Sequence, residues 1–413
     1  MRSVWLVNHY ATDPTESPSG SRHFSLAAHL AQEGWTASLI AASTEHPSGR
    51  QRIPSSAKRA DRTVGGVRFR FLRASDYSGN GISRILNLLT FTVRLLLPSG
   101  TRGLPAPDVI VGSTVHPLAA WAASVLARRR RVPFVFEIRD LWPQTLIDMG
   151  RMTPRSLPAR ILRAVEGELC RRASAIITLL PFAAEYLEQE QGVPADKIVW
   201  ISNGCDAAAF SHLPAAEPDG PFTFMYFGSV GLANGVDEIV RAFAPVADGA
   251  RLTVYGGGRS LPQVQALAGE LGIRDAVEFR GTIPKTAVPE AAALADALVI
   301  NVLDLAVYRH GISMNKLFDY LAAGRPVVIA SSAPNNPVAE SEAGLTVPAA
   351  DTAAFTAALR RMRDSDLEER RRWGANGRAL VEEQYDYGVL ARRLASTLDA
   401  VLAGVRPDAS DRP

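Results

Sequence analysis

Short runs of β-branched and aromatic residues alternate with helical stretches along almost the whole chain. SVWLVN, TASLIAA, DVIVGS, VPFVFEI, AIITLL and KIVWISNG occupy the first half, and FTFMYFGS, RLTVYGGG, AVEFRG, ALVINVL, PVVIAS and GLTVP the second. Runs that are apolar throughout and separated by helix are the mark of parallel strands covered on both faces, hence of an α/β protein. One hydrophobic core rarely serves 413 residues, so the alternation divides into two domains. The stretch AFSHLPAAEPDGPF, from Ala209 to Phe222, is rich in Pro and Ala and has no periodicity. The expected organisation is an N-terminal Rossmann-like domain over 1–208, a linker over 209–221 and a second Rossmann-like domain over 222–386. A C-terminal helix over 387–404 returns to the first domain, and a disordered tail covers 405–413. Ligands of such sheets bind beyond the carboxyl ends of the strands, which makes the cleft between the lobes the expected site.

Several function classes are disfavoured at this stage. Hydrophobic residues make up 47% and charged residues 21%, an ordinary globular balance, and a net charge of +3 gives nucleic acid no electrostatic footprint. Cys170 and Cys205 lack metal-type spacing and demand no disulfide, which fits a reducing compartment. The seven histidines form no HxH or HExxH, so no built-in metal site is expected. MRSVWLVNHY turns polar too soon for a signal peptide and reads as a first strand. The longest apolar candidate, Ile82 to Leu97, is interrupted by Arg84, Asn87 and Arg94, so no spanning helix is expected and the location reads as cytoplasmic. No GxxxxGK[ST] occurs, and YGGGRSL has Leu261 where a dinucleotide fingerprint needs its third glycine.

Four motifs carry candidate chemistry. FGSVGLANG lies between a strand and the helix VDEIVRAF, and Gly228, Gly231 and Gly235 let backbone amides approach an anion; a plain tight turn is the competing account. In PSGSRHF, Gly20 and Ser21 open the first long helix, either as a phosphate seat or as an ordinary serine cap. In FEIRDLWPQ a strand runs straight into Arg139, Asp140 and Trp142; charge at a buried strand end points to function, and an Arg139–Asp140 brace is the alternative. SMNKLFDYLAAG reads as a helix capped by Ser313, with Gly324 just past its end. Lys316 then falls in the first turn, where the macrodipole disfavours a cation. A bound diphosphate would use helix amides and ammonium together, and Asp319, one turn on, could accept from ribose hydroxyls. Lys316 and Asp319 could instead form an i,i+3 surface pair.

At these residues a family resemblance enters. FGSxG after one strand, GGG after the next, VEFRGTIPKTAVPEAAALADALVINVL and NKLFDYLAAGRPVV, in this order, resemble the C-terminal half of family-4 retaining glycosyltransferases of the GT-B fold. SGSRHFSLAAHLAQEGW and VWISNGCDAAAF resemble the N-terminal half, and EIRDLWPQTL is similar to a WbuB-like, amino-fucose transferase-like subgroup. The chain departs from the family at several points. Ser229 and Asn234 stand where most members carry a basic pair, Gly311 and Asp319 where they carry two glutamates, and Arg139 where a histidine ends the strand.

The resemblance implies transfer of a sugar from a nucleoside-diphosphate donor, UDP-linked, to a hydroxyl acceptor, with retention and no obligatory metal or other cofactor. The sugar could be an N-acetylated amino-deoxy sugar. Donor contacts are expected from Gly20, Ser21, Gly228, Ser229, Gly231, Gly281, Thr282, Ile283, Ser313, Asn315, Lys316 and Asp319. Arg139, Asp140 and Lys316 are the catalytic candidates, and His116 and Trp142 are placed on the acceptor side. The acceptor is a lipid-linked saccharide or a small molecule. A nucleotide-sugar epimerase of the same fold and a non-catalytic sugar-nucleotide-binding protein are the rivals. Ile82 to Leu97 follows a loop with Arg50, Arg52, Lys58, Arg59 and Arg62, a combination that reads either as a peripheral membrane contact or as a core helix.

Overall fold

The computed structural model describes residues 1–12, 22–46, 48–79, 81–114, 116–213 and 220–408. The chain divides into two units, Met1–Ser202 with Tyr387–Pro413, and Asn203–Asp386. The first unit carries β1 (Arg2–Val7), β2 (Trp35–Ala42), β3 (Arg59–Val64), β4 (Val67–Leu72), β5 (Val109–Ser113), β6 (Phe134–Ile138), β7 (Ala175–Thr178) and β8 (Ile198–Trp200). They form one sheet in the order β3-β4-β2-β1-β5-β6-β7-β8, parallel except for the β3–β4 pair. The second unit carries β9 (Phe222–Phe227), β10 (Ala250–Tyr255), β11 (Val277–Gly281), β12 (Ala297–Asn301), β13 (Val327–Ala330) and β14 (Gly344–Val347). Its sheet is wholly parallel, in the order β11-β10-β9-β12-β13-β14.

Both sheets are doubly wound. In the first, β1 lies between β2 and β5; in the second, β9 lies between β10 and β12. The strand order reverses at these points, and the departing chains leave a crevice beyond the carboxyl ends of the strands. The side chains that follow β1, β5, β6 and β9 are therefore the ones placed to meet ligands.

The first sheet is covered on one face by the helices Arg22–Leu30 and Tyr387–Leu402, and on the other by helices that include Pro117–Arg130 and Ala183–Gln191. Tyr387, Leu390, Leu394, Leu398 and Val401 recur at helical spacing and join Val4, Leu6, Trp35 and Leu39 in one core. Asp399 fastens the helix further, accepting from Trp35 Nε1 at 2.9 Å and pairing with Arg2.

Three expectations need correction. Chain division falls at Ser202, ahead of the expected boundary at 208, because the next residues are fastened to the second unit. Cys205 N donates to Tyr385 O at 3.1 Å, Ala207 N to Asp386 Oδ2 at 3.0 Å and Arg378 to Phe210 O at 3.1 Å. Within the expected 209–221 linker, residues 214–219 lie outside the described residues. In the expected tail, Arg406 pairs with Asp196 at 3.6 Å, and residues 409–413 lie outside the described set. The basic stretch before Ile82 is not simply a loop. Arg59 and Arg62 belong to β3, and Arg52 is buried, donating to Ala11 O at 3.0 Å and lying over the Phe71 ring.

Leu398 is completely buried between the C-terminal helix and the first sheet. Leu398→Ala should cost about 2–5 kcal/mol through lost burial and the cavity left behind. Denaturant titration should show the loss in the transition of the first unit, with that of the second unchanged.

Candidate functional site

In the second unit the site starts with backbone packed on backbone. After β9 and β10 the two chains stay paired, Gly228 N donating to Tyr255 O at 3.0 Å and Val230 N to Gly257 O at 2.8 Å. A Cβ on Gly256 would lie 1.7 Å from Gly228 O, and the residue has φ +149°. The triple glycine thus serves close approach of two loops, which accounts for YGGGRSL without a dinucleotide. Tyr320 anchors the end of β9 from the side. Its hydroxyl accepts from Phe227 N at 2.5 Å and donates to Phe227 O at 3.0 Å.

The helix Asn315–Ala322 begins beside this loop. Ser313 is not its cap: Met314 holds that position without a side-chain bond. Ser313 Oγ accepts from Asn203 N at 2.9 Å, and its carbonyl from Asn203 Nδ2 at 2.6 Å. Lys316 does lie in the first turn. Its ammonium donates to Tyr226 Oη at 2.9 Å and Asn234 Oδ1 at 2.5 Å, and sits over the Tyr226 ring at 4.7 Å. Tyr226 donates in turn to Ser229 O, and Asn234 to Ser229 Oγ, both at 2.9 Å. The two positions where relatives are expected to carry cations here form the neutral seat of one cation. Burial brings Lys316 down to about 7. The bare face of Gly228 adjoins the ammonium; a Cβ there would lie 3.3 Å from Nζ.

Lys316 and Asp319 do not pair with each other. Asp319 pairs with Lys285, from the turn after β11, and the i,i+3 reading is set aside. Asp319 Oδ1 is buried and has no partner among the described residues, and burial raises the carboxyl pKa against the pull of Lys285. The other donor candidates sit around these groups. Ser229, Thr282 and Asn315 are exposed, and Gly231, Gly281 and Ile283 half-buried. Gly281 has φ +69° and accepts from Gly256 N at 2.7 Å.

In the first unit the site grows around a buried carboxylate. Glu137, on β6, is only 2% exposed. It accepts from Arg22 Nε at 3.0 Å and His23 Nε2 at 2.6 Å. Burial works to raise its pKa, but His23 and Arg22 outweigh burial and hold it well below the usual carboxylate range. Arg22 also donates to Ile201 O at 2.8 Å and to Ser202 O, while Asn8 Nδ2 meets His23 Nδ1 at 3.0 Å. Burial lowers the His23 pKa, so the neutral ring donates to Glu137 and accepts from Asn8. Gly20 and Ser21 lie outside the described residues, but the RH that follows them serves this cluster.

Arg139 follows directly. Its backbone N donates to Thr114 Oγ1 at 2.9 Å, and its buried Nε has no partner among the described residues. Asp140 is exposed and forms no ion pair with Arg139, so the brace is absent; Trp142, half-buried, precedes a cis peptide to Pro143. Beyond β1 and β5 stand His9 and His116, with ring centroids 4.9 Å apart. His9 Nε2 meets Asn87 Oδ1 at 3.0 Å, and burial with the nearby Arg84 charge takes His9 down to about 3. His116 is 2% exposed, burial holds its pKa well below the ordinary value, and both ring nitrogens are without a partner among the described residues. His46, at about 4 for the same cause, meets Tyr77 at 3.1 Å. These histidines are neutral donors and acceptors at pH 7. Sequence reasoning missed His9, His23, Glu137 and Lys285. A glutamate inside the apolar run VPFVFEI was the one available signal, since such a charge must find partners. Among the described residues, no group of three or more His, Cys, Asp or Glu is arranged to hold a metal ion.

Comparison with known proteins agrees with this anatomy. Residues 20–204 match the glycosyl transferase 4-like domain, and residues 221–365 match glycosyl transferases group 1. A GDP-mannose-dependent alpha-(1-6)-phosphatidylinositol monomannoside mannosyltransferase of Mycobacterium tuberculosis is 25% identical over 67% of this chain and 79% of its own. The alpha-D-kanosaminyltransferase of Streptomyces kanamyceticus is 23% identical over 69% and 76%. Among solved structures, sucrose-phosphate synthase of Thermosynechococcus elongatus superposes with a TM-score of 0.76, at 18% identity, over 98% of this chain and 100% of that one. Anabaena HepE, in complex with UDP and glucose, superposes with a TM-score of 0.67, at 13% identity, over 97% and 100%.

Removing the Glu137 charge would strand a buried guanidinium. Glu137→Gln should therefore destabilise the first unit by about 3–5 kcal/mol, the range for breaking a buried ion pair from one side. Urea unfolding checks this, and a loss within experimental error would mean that the backbone carbonyls alone hold Arg22.

Proposed function

The chain is a GT-B glycosyltransferase of the family-4, group 1 type, and from that premise we propose that it moves a sugar from a nucleoside-diphosphate sugar to a hydroxyl acceptor, with retention. The observation that carries the proposal is the seat of Lys316. Two of its three N–H groups are held by neutral oxygens, and the third has no partner among the described residues. A half-buried ammonium beside a bare glycine loop and a helix start is a receptor for phosphate oxygens. Asp319 supplies the second element. Its buried, unpartnered Oδ1 accepts from a ribose hydroxyl, while Lys285 holds the other oxygen. Backbone from Gly281 to Ile283 takes the base.

In the transfer step, charge develops on the departing diphosphate, and Lys316 with the helix amides is already aimed at it. The seat is built in advance by Tyr226, Asn234 and Ser229, so little reorganisation is needed as the bond breaks. We place the acceptor on the first unit, where unpartnered nitrogens of His116 and His9 meet sugar hydroxyls and Arg139 adds positive charge. The mycobacterial relative is named for a lipid-linked acceptor and the Streptomyces relative for an amino sugar. Both names support a lipid-linked saccharide acceptor and an amino-deoxy sugar here, with uridine as the base by likeness to the UDP-bound neighbour.

Lys316→Ala should weaken UDP binding by about 1.5–3 kcal/mol, the range for a charge-assisted hydrogen bond, and leave uridine binding unchanged. Calorimetry reads both; equal losses for the two ligands would count against a diphosphate contact. The pH dependence follows from the depressed pKa. Lys316 is charged below about 7 and loses its proton above it, so UDP affinity should fall as pH rises through that value, and K316A should be flat. Asp319→Asn should raise the donor KM while unfolding stays cooperative. Unchanged donor kinetics would reduce Asp319 to a partner of Lys285.

A further inference from the structure

We infer that the helix Ile82–Leu96 is a docking surface for an anionic lipid leaflet. The helix is apolar on two faces, with Phe91 and Leu95 buried in the core of the first unit. Its inner face carries Asn87, which meets His9 at 3.0 Å, and Arg84, which donates to Tyr10 Oη at 3.1 Å. Its outer face is apolar and in solvent: Ile82 is 77% exposed, Ile85 56%, Leu86 53%, Leu89 43% and Val93 57%, with Leu97 following at 47%. These positions form one continuous helical stripe. Six of the fourteen exposed large hydrophobic residues among those described fall in these 16 positions, so the stripe is a concentration and not ordinary scatter.

Charge decides the occupant. Around the carboxyl end of the helix are gathered Lys58, Arg59, Arg94, Arg102, Arg129 and Arg130. Arg94 donates to Lys58 O at 3.3 Å, Arg129 to Leu96 O at 3.0 Å, Arg130 to Thr101 Oγ1 at 3.2 Å, and Arg59 to Ser99 O. None of the six forms an ion pair among the described residues. A helix carboxyl end favours a cation or two through its dipole, but six, of which only Arg59 acts on a carboxylate, that of Asp61, exceed that need. An apolar stripe fringed by unpaired cations matches the acyl boundary and head groups of an anionic leaflet. A protein partner would have to supply acids at the fringe alone, and a second copy of this chain would bring cations against cations. The inference rests on the proposed lipid-linked acceptor, which requires an enzyme at the leaflet. It also gives the helix a joint purpose, since its inner face lines the His9 cluster.

The test uses the full chain and needs neither donor nor acceptor. Vesicles of phosphatidylcholine with phosphatidylglycerol, and of phosphatidylcholine alone, are sedimented with the protein at about 0.1 M and about 1 M salt, between which the screening length falls from about 10 Å to about 3 Å. The protein should sediment with anionic vesicles at low salt and be largely released at high salt. Leu86→Ser with Val93→Ser should lower partitioning about tenfold or more. Lys58→Ser, Arg102→Ser and Arg129→Ser together should lower it about a hundredfold, at about fivefold per cation. All substituted side chains except that of Arg129 are free at the surface, and thermal melting verifies that the variants fold. Three results would overturn the inference: no sedimentation of the wild type with anionic vesicles at low salt; sedimentation that both variants share undiminished; or a dimer in solution that Leu86→Ser with Val93→Ser converts to monomer. UDP binding retained by a protein that ignores vesicles would leave the transferase reading standing and remove only the docking.

Discussion

Each sheet is covered by helices on both faces, so its strands carry few buried charged side chains until they end. The consequence runs through both units. Asn8 and His9 follow β1, Thr114 and His116 follow β5, Arg139 follows β6, and the glycine loops follow β9 and β10. Two buried charges inside strands are exceptions that show the rule's strength, Arg70 on β4, which pairs with Asp61, and Glu137 on β6. A carboxylate placed one residue before the end of β6 needs a guanidinium, an imidazole and their own backing from Ile201, Ser202 and Asn8 before it can remain ionised. The first helix begins with Arg22 and His23 for that purpose, and the cluster fixes the entry to the helix beside the mouth of the sheet.

The second unit treats its lysine differently. Among the described residues no carboxylate pairs with Lys316; neutral oxygens and an aromatic face hold it. A carboxylate would have neutralised the ammonium and filled its coordination. Tyr226 and Asn234 orient the group and leave its charge unspent, at the cost of a pKa near the middle of the physiological range. The acid, Asp319, is one turn away and is held by a separate lysine, so the helix presents a cation and an anion to different parts of one ligand. Substituting the seat is therefore as informative as substituting the lysine itself.

Much of this was legible in the sequence, and the failures have physical causes. The alternation of strands and helices, the helix at Lys316 and the glycine after it are local signals and could be read directly. Ser313 looked like a cap because serine is a capping residue, but Asn203, 110 positions away, claims its hydroxyl and carbonyl. Lys285 and Asp319 are 34 positions apart, and nothing local chooses Lys285 over Lys316 as partner. Arg139 and Asp140, adjacent in sequence, looked like a pair and form no ion pair: the Arg139 Nε is buried while Asp140 is exposed. The β3–β4 hairpin was hidden because Arg68 and Arg70 alternate with the apolar residues of β4 while β3 carries Arg59, Asp61 and Arg62. The helix Ile82–Leu96 was ambiguous because it is apolar both on the face that packs on the core and on the face left in solvent, and only exposure of the individual side chains resolves that.

The helix Tyr387–Leu402 completes a core whose other walls are formed by residues before 202. Chain order and unit order are thus at odds. During synthesis the first unit emerges first but lacks one wall of its core until Tyr387–Leu402 has been added, while the second unit, contiguous from Asn203 to Asp386, can close before that. The open face of the first sheet would wait, apolar and uncovered, through the translation of about 200 residues, at about 5–20 residues per second some tens of seconds. That interval is when a chaperone would matter most to this chain. A chain stopped just short of Tyr387 would hold a complete second unit and a first unit that lacks one wall of its core.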